Sequence, residues 1–288
     1  MTLLVEPPFA APSAEAVMAR AAGENFPVAS RLLPRAERAD LLALYGFARL
    51  VDELGDSAPG DRLAALDWLA VELDRAFAGR AEHPLMIRVQ ATIVSRNLPR
   101  GPFERLIEAN RLDQRQEHYE TWEQLRGYCA LSADPVGELV LATFGHASPE
   151  RVALSDCVCT ALQLAEHCQD VAEDLRARRI YLPREDLRRF GAEEPELAAP
   201  HASEPVRRVI AFEVERARGL LAEGTPLLAS LRGRPRLAVA AFIAGGTAAL
   251  DAIERAGFDV LAGAPQAGNG RRLQALVATL ARRGARRS

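Results

Sequence analysis

Apolar residues recur along nearly the whole chain at a helical spacing of about 3.6 residues, and no run alternates apolar with polar. A chain patterned this way can bury its apolar surface only by packing helix on helix, so the expected fold class is all-α. Helices are predicted over about 36–56, 61–78, 84–97, 102–118, 121–145, 149–178, 204–231, 235–257 and 268–283. Helix breakers separate them: Pro59-Gly60, Gly79, Pro99 to Pro102, Pro149, Pro195 to Pro205, Gly233 to Pro235 and Gly263 to Pro265. Asp61 is an expected N-cap with Gly79 just past that helix's end, and Thr121-Trp122-Glu123-Gln124 reads as a capping box. Gly191 to Ser203, rich in Ala, Pro and Glu, is the expected loop.

With 288 residues and 49% hydrophobic content the chain can bury a large core, and residues 1–288 are expected to form a single helical domain. Its ends, about 1–14 and 264–288, read as loosely attached. The net charge of -3 gives no basic field for nucleic acid. All 36 basic residues are Arg, a bias from which no function follows. No apolar run suggests a membrane span, and the Pro/Ala-rich start lacks the basic segment of a signal peptide, so a cytoplasmic location is expected. The basic stretch Arg282, Arg283, Arg286, Arg287 reads as a solvated tail, with attraction to an anionic membrane as the alternative. Cys129, Cys157, Cys159 and Cys168 form no CxxC and read as free thiols.

Two acidic motifs stand out against this apolar background: Asp52-Glu53-Leu54-Gly55-Asp56 and Asp170-Val171-Ala172-Glu173-Asp174. In the first, Tyr45, Arg49, Asp52 and Asp56 fall at i, i+4, i+7 and i+11, one stripe on a helix that is apolar around most of its circumference. In the second, Gln163, Glu166, Asp170 and Asp174 repeat the arrangement, and Arg176, Arg178 and Arg179 follow at once. If the two helices faced each other, four Asp would meet, and such a cluster calls for cations. Mg2+ bridging to a diphosphate satisfies it, with guanidinium forks gripping phosphate oxygens. An ordinary solvent-exposed face with an Arg49–Asp52 pair is the competing account of the first motif, and a charged helix end that of the second. Between them, Tyr128-Cys129-Ala130-Leu131-Ser132-Ala133-Asp134-Pro135-Val136-Gly137 reads as a Pro-kinked helix with a small face, able to line an apolar channel or simply a packing groove. His167 reads as a packed residue rather than a ligand.

At these residues the chain resembles the squalene/phytoene synthase family, the head-to-head prenyl-diphosphate enzymes. The resemblance runs from about Glu24 to Leu261. It is carried by Asn25-Phe26-Pro27 with Arg31-Leu32-Leu33-Pro34, Tyr45-Gly46-Phe47-Ala48-Arg49 leading to Asp52 and Asp56, Tyr128-Cys129 with Val136-Gly137, and Gln163-Leu164 through Asp170, Asp174 and Arg179-Ile180-Tyr181-Leu182-Pro183. Glu24 to Ser30 and Gln169 to Ala172 are most similar to the bacterial hydroxysqualene synthases of hopanoid biosynthesis.

The resemblance implies an isoprenoid synthase fold with a central apolar channel, and several Mg2+ ions held by Asp52, Asp56, Glu166, Asp170 and Asp174. It implies catalytic roles for these Asp with Tyr45, Arg49 and Tyr128. It implies substrate contacts from Asn25, Phe26, Tyr45, Arg49, Gln163, Gln169, Arg179 and Tyr181. The expected reaction is conversion of presqualene diphosphate to hydroxysqualene by ionisation, rearrangement and water capture, without NADPH. Presqualene diphosphate or phytoene synthesis is the alternative, and an inactive scaffold protein a second. Peripheral attachment to the inner membrane face and handover to other squalene-pathway enzymes are compatible with it. Departures from the family pattern are Glu53 for an Asp, Glu166 for an Asn, Gln169 for an Arg and Gly246 for a Tyr.

Overall fold

The computed structural model describes residues 12–19 and 34–281. The helices are α1 (Ala14–Ala19), α2 (Arg35–Asp52), α3 (Arg62–Phe77), α4 (Pro84–Arg96), α5 (Gly101–Asp113), α6 (Trp122–Ser132), α7 (Asp134–Thr143), α8 (Pro149–Gln169), α9 (Val171–Arg176), α10 (Arg184–Phe190), α11 (Glu204–Gly224), α12 (Leu227–Ser230), α13 (Gly233–Arg255) and α14 (Asn269–Ala281). A π-turn follows α2 (Glu53–Ser57), and a 3₁₀ turn (Glu194–Ala198) lies within the expected loop. Among the described residues no strand forms beyond an isolated bridge between His118 and Ile180, so the all-α expectation holds. The residues group into two compact units, Met1–Arg115 with Pro135–Ser148, and Gln116–Asp134 with Pro149–Ser288.

The first unit is built on α2 to α5 and α7. Phe47, Leu50, Leu54, Leu66, Leu69, Leu73, Met86 and Phe103 fill its core, with Phe47 and Phe103 edge to face at 5.0 Å. Helix ends follow local chemistry. Asp61 accepts from the Ala64 N–H at 3.1 Å, as expected of an N-cap. Pro84 opens α4 at a position that needs no N–H donor. Asn97 closes that helix in the left-handed region (φ 49°), which Asn tolerates better than most residues.

In the second unit α8 and α11 pack along each other, closely enough that a Cβ on Gly224 would lie 2.5 Å from Val158 Cγ2 and 2.7 Å from the Leu154 carbonyl oxygen. Gly246 on α13 makes a similar approach to Leu162, so a larger residue at this position would need a different packing. A charged cluster lies inside this unit: Glu213 and Asp186, both buried, hold Arg216, whose guanidinium also stacks 4.7 Å above Trp122. Burial pushes the Glu213 carboxyl up to about 8 despite Arg216, and a hydrogen bond with Asp186 adds to the rise.

Several expectations need correction. The run at 121–145 is two helices, broken at Ala133 where Asp134 and Pro135 start α7. Thr121 does accept from the Gln124 N–H, but the Gln124 side chain accepts from the Glu120 N–H, one residue before the cap. At 264–281, α14 packs along α13 and Ala267 is buried. A membrane-length apolar helix does exist among the described residues. It is α13, with a mean hydropathy of 1.5 over its most apolar window, and half of that window is buried against its neighbours. The four Cys are free thiols, with Cys129 and Cys168 buried.

Candidate active site

The first acidic motif does not ride on a continuous α-helix. α2 ends at Asp52, and Glu53–Ser57 continue as a wider π-turn that carries Leu54 and Gly55 inward, both buried. Asp56 is therefore carried by the π-turn, while Tyr45, Arg49 and Asp52 lie on α2 itself. Asp56 is exposed. Tyr45 is buried, and Arg49 pairs with Asp52 at 3.6 Å with both side chains partly open to solvent. From α5, the Asn110 amide lies 3.5 Å from Asp52 Oδ1, and the Gln114 amide donates to the Gly55 carbonyl at 2.9 Å. These two residues carry no motif in the sequence. A helical polar pair gives no signal of what it touches until the fold brings it there.

The second motif straddles a break. α8 ends at Gln169, Asp170 leaves helical geometry (φ -103°, ψ 14°), and α9 restarts at Val171. The Asp170 carbonyl accepts from the Glu173 and Asp174 N–H groups, both at 2.8 Å, which keeps Asp174 one turn beyond Asp170. The expected Gln163–Glu166–Asp170–Asp174 stripe is therefore interrupted, yet its last two members stay neighbours. Burial pushes the Asp174 carboxyl up to about 8, and repulsion from Asp170, Glu166 and Glu173 raises it further than the nearby Arg179 lowers it. The Asp170 carboxyl is also raised, by burial and then by Glu173.

Beside this motif stands an aromatic cluster. Tyr181 stacks on His167 with centroids 3.9 Å apart and planes 15° apart, Tyr128 lies 5.3 Å from Tyr181, and Tyr119 is 5.5 Å from Tyr128. All four rings are buried. His167 is packed, as expected, and burial lowers its imidazole to about 3, so the ring is neutral.

The structure brings together Asp170, Asp174, Glu166 and Arg179, and separately Tyr128 with Tyr181. Gln169 is drawn elsewhere: it is buried and its amide donates to the Pro265 carbonyl, tying α8 to the segment before α14 rather than presenting a free amide to substrate. Gln163 is partly buried on α8. Asn25 and Phe26 lie outside the described residues, as does the basic stretch at 282–288.

Mg2+ is a hard cation that takes one or two carboxylates and completes its shell with water and substrate phosphate oxygens. Among the described residues no group of three or more His, Cys, Asp and Glu side chains is arranged to hold a metal ion by itself. A site completed by a diphosphate needs no such cage. Burial first, and then neighbouring carboxylates, disfavour the charged forms of Asp170 and Asp174; a divalent cation offsets both, so the donor set fits Mg2+ with diphosphate.

Comparison with known proteins follows the same direction. The family model for squalene/phytoene synthase matches residues 19–277. A hydroxysqualene synthase from Sinorhizobium fredii is 34% identical over 213 residues, covering 73% of this chain and 72% of its own length. A phytoene synthase from Arthrospira platensis is 31% identical over 256 residues, covering 82% of each. The crystal structure of squalene synthase HpnC from Alicyclobacillus acidocaldarius superposes with a TM-score of 0.78 at 50% identity, over 85% of this chain and 94% of that one.

Proposed function

The chain belongs to the squalene/phytoene synthase family of head-to-head prenyl-transferring enzymes, and from that premise we propose that it converts presqualene diphosphate to hydroxysqualene. The observation that carries the diphosphate chemistry is the Asp170–Asp174 pair, one helical turn apart and half-buried beside Glu166 and Arg179, with both carboxyls raised first by burial and then by neighbouring carboxylates. The product assignment is supported by hydroxysqualene synthases at 33–34% identity covering 73% of the chain.

In this reading Asp170, Asp174 and Glu166 would hold Mg2+ in the second unit, and Asp52 and Asp56 would do so in the first. Bound Mg2+ supplies Lewis-acid neutralisation of the leaving diphosphate, a dominant contribution when charge develops on oxygen. Arg49 and Arg179 bind diphosphate oxygens through N–H forks, Arg49 giving up its loose contact with Asp52. Tyr128 and Tyr181 present aromatic faces that stabilise the carbocation left when the C–O bond breaks with both electrons on diphosphate. Water then forms the new C–O bond, and its proton passes to the released diphosphate. Neutral His167 packs against Tyr181 and fixes the ring that shields the cation.

Incubating the purified chain with Mg2+ and presqualene diphosphate or farnesyl diphosphate, with and without NADPH, tests this by identification of the extracted lipids. Hydroxysqualene from presqualene diphosphate without NADPH is expected. Turnover of farnesyl diphosphate alone would move the chain to the preceding condensation. The longer coverage by a phytoene synthase, 82% of both chains, favours that condensation chemistry as the second reading.

A further inference from the structure

A π-turn is a wide, loosely packed ring that persists where neighbouring groups hold it, and it recurs at functional positions. The one at Glu53–Ser57 is held from α5 by two neutral amides, Asn110 and Gln114, spaced i and i+4 so that they share a helix face. Asn110 lies directly on the turn. A Cβ on Gly55 would sit 2.1 Å from Asn110 Oδ1 and 3.2 Å from Asn110 Cβ, so glycine is what lets the Asn110 side chain lie against the turn. Gln114 donates through its amide nitrogen to the Gly55 carbonyl at 2.9 Å and to the Asn110 carbonyl at 3.1 Å. The wider turn leaves carbonyls without their usual helical donors, and Gln114 supplies one.

The chemical character of this support is as informative as its position. Asn110 reaches Asp52 only at 3.5 Å, the outer edge of hydrogen bonding, and the Asp52 side chain stays 45% exposed. The motif's backbone is therefore held while the Asp52 side chain stays partly exposed and Asp56 exposed. A cationic side chain in place of either amide would fix the turn equally well but would compete with an incoming cation.

We propose that Asn110 and Gln114 are positioning residues that hold the Glu53–Ser57 turn so that Asp52 and Asp56 are presented to Mg2+ and diphosphate. This rests on the functional reading above and adds residues that act through the motif rather than on the substrate. Outer-shell partners of this kind set metal affinity by roughly ten-fold or more each.

The test is Gln114→Met, which keeps the side-chain length and removes the donors, and Asn110→Ala, which removes the contact with the turn. For the full chain and each variant, Mg2+ is titrated in the presence of inorganic diphosphate, followed by thermal melting, and the Mg2+ dependence of turnover is measured alongside. The expected result is that half-saturating Mg2+ rises about ten-fold in each variant, while the Mg2+-free melting temperature changes by only a few degrees and kcat recovers at high Mg2+. Two folded variants that titrate like the parent chain overturn the proposal and leave the functional reading intact. A parent chain with no Mg2+ response overturns both. Should Gln114→Met fail to fold, Asn110→Ala carries the test alone, since the Asn110 side chain meets the motif at Asp52 and Gly55.

Discussion

The two acidic motifs share their Asp-x-x-x-Asp spacing and differ in how the protein holds them. The first sits at the surface on a turn fixed by amides from α5, with Asp56 exposed and Asp52 partly so. The second is partly buried, carries Glu166 and Glu173 beside it, and its carboxyls are raised by burial and mutual repulsion. One motif is organised by its surroundings. The other stores electrostatic strain that only added positive charge or a proton can relieve. Equal spacing in a sequence therefore does not imply equal electrostatics in the fold, and the two should respond differently to the same substitutions.

The largest expected effect separates activity from stability. Asp170→Ala and Asp56→Asn should each lower kcat by about 10²–10³-fold if each removes an electrostatic contact to the departing group. Steady-state rates at saturating Mg2+ read this out, and an unchanged rate in either variant would remove that Asp from the site. Asp56→Asn, at an exposed position, should leave the Mg2+-free stability within about 0.5 kcal/mol of the parent. Asp174→Asn should also abolish activity but raise Mg2+-free stability, because it deletes a charge that burial and repulsion disfavour.

The size of that gain depends on pH, with a fixed sign. The Asp174 carboxyl titrates near 8 in the folded chain and near 3.8 when exposed, so between these values the folded state holds a proton that the unfolded state has lost. Stability then falls as pH rises across this window and levels off above about 8. Melting curves of Asp174→Asn should therefore separate progressively from the parent between pH 4 and 8. A constant difference would show that the carboxyl is not raised.

Glu213 sharpens the comparison because burial also raises it to about 8, in a cluster assigned no part in binding. Glu213→Gln should flatten the same alkaline loss of stability while leaving turnover unchanged. Mg2+ with diphosphate should erase the pH dependence due to Asp174 and leave that due to Glu213, a distinction visible in melting temperatures of the two variants with and without Mg2+. The smallest effect is expected at Gly55→Ala: the clash with Asn110 should cost about 1–3 kcal/mol, measured by denaturant unfolding, and Asn110→Ala in the same chain should recover part of it.

Much of the fold was legible because helix formation here rests on local patterning. The apolar periodicity of α2, α3 and α11, the Asp61 cap and the proline at the start of α4 all act within a few residues. What the sequence concealed depends on distant partners. No glycine or proline marks the break at Asp170, and the π-turn is stabilised by Asn110 and Gln114, more than fifty residues away. Gln169 was expected at the substrate from the family resemblance, and its amide donates to the Pro265 carbonyl, a partner far away in the sequence. The pairing of Tyr128 with Tyr181 was foreshadowed only as two separate motif residues, and the stacking of His167 on Tyr181 comes from tertiary packing.

Capture of the cation by water is the central claim, and isotopic labelling tests it most directly. Turnover of presqualene diphosphate with Mg2+ in ¹⁸O-enriched water should give hydroxysqualene whose hydroxyl oxygen comes from solvent, with no need for NADPH. A product that carries no solvent oxygen, or a hydrocarbon formed in its place, would contradict the account.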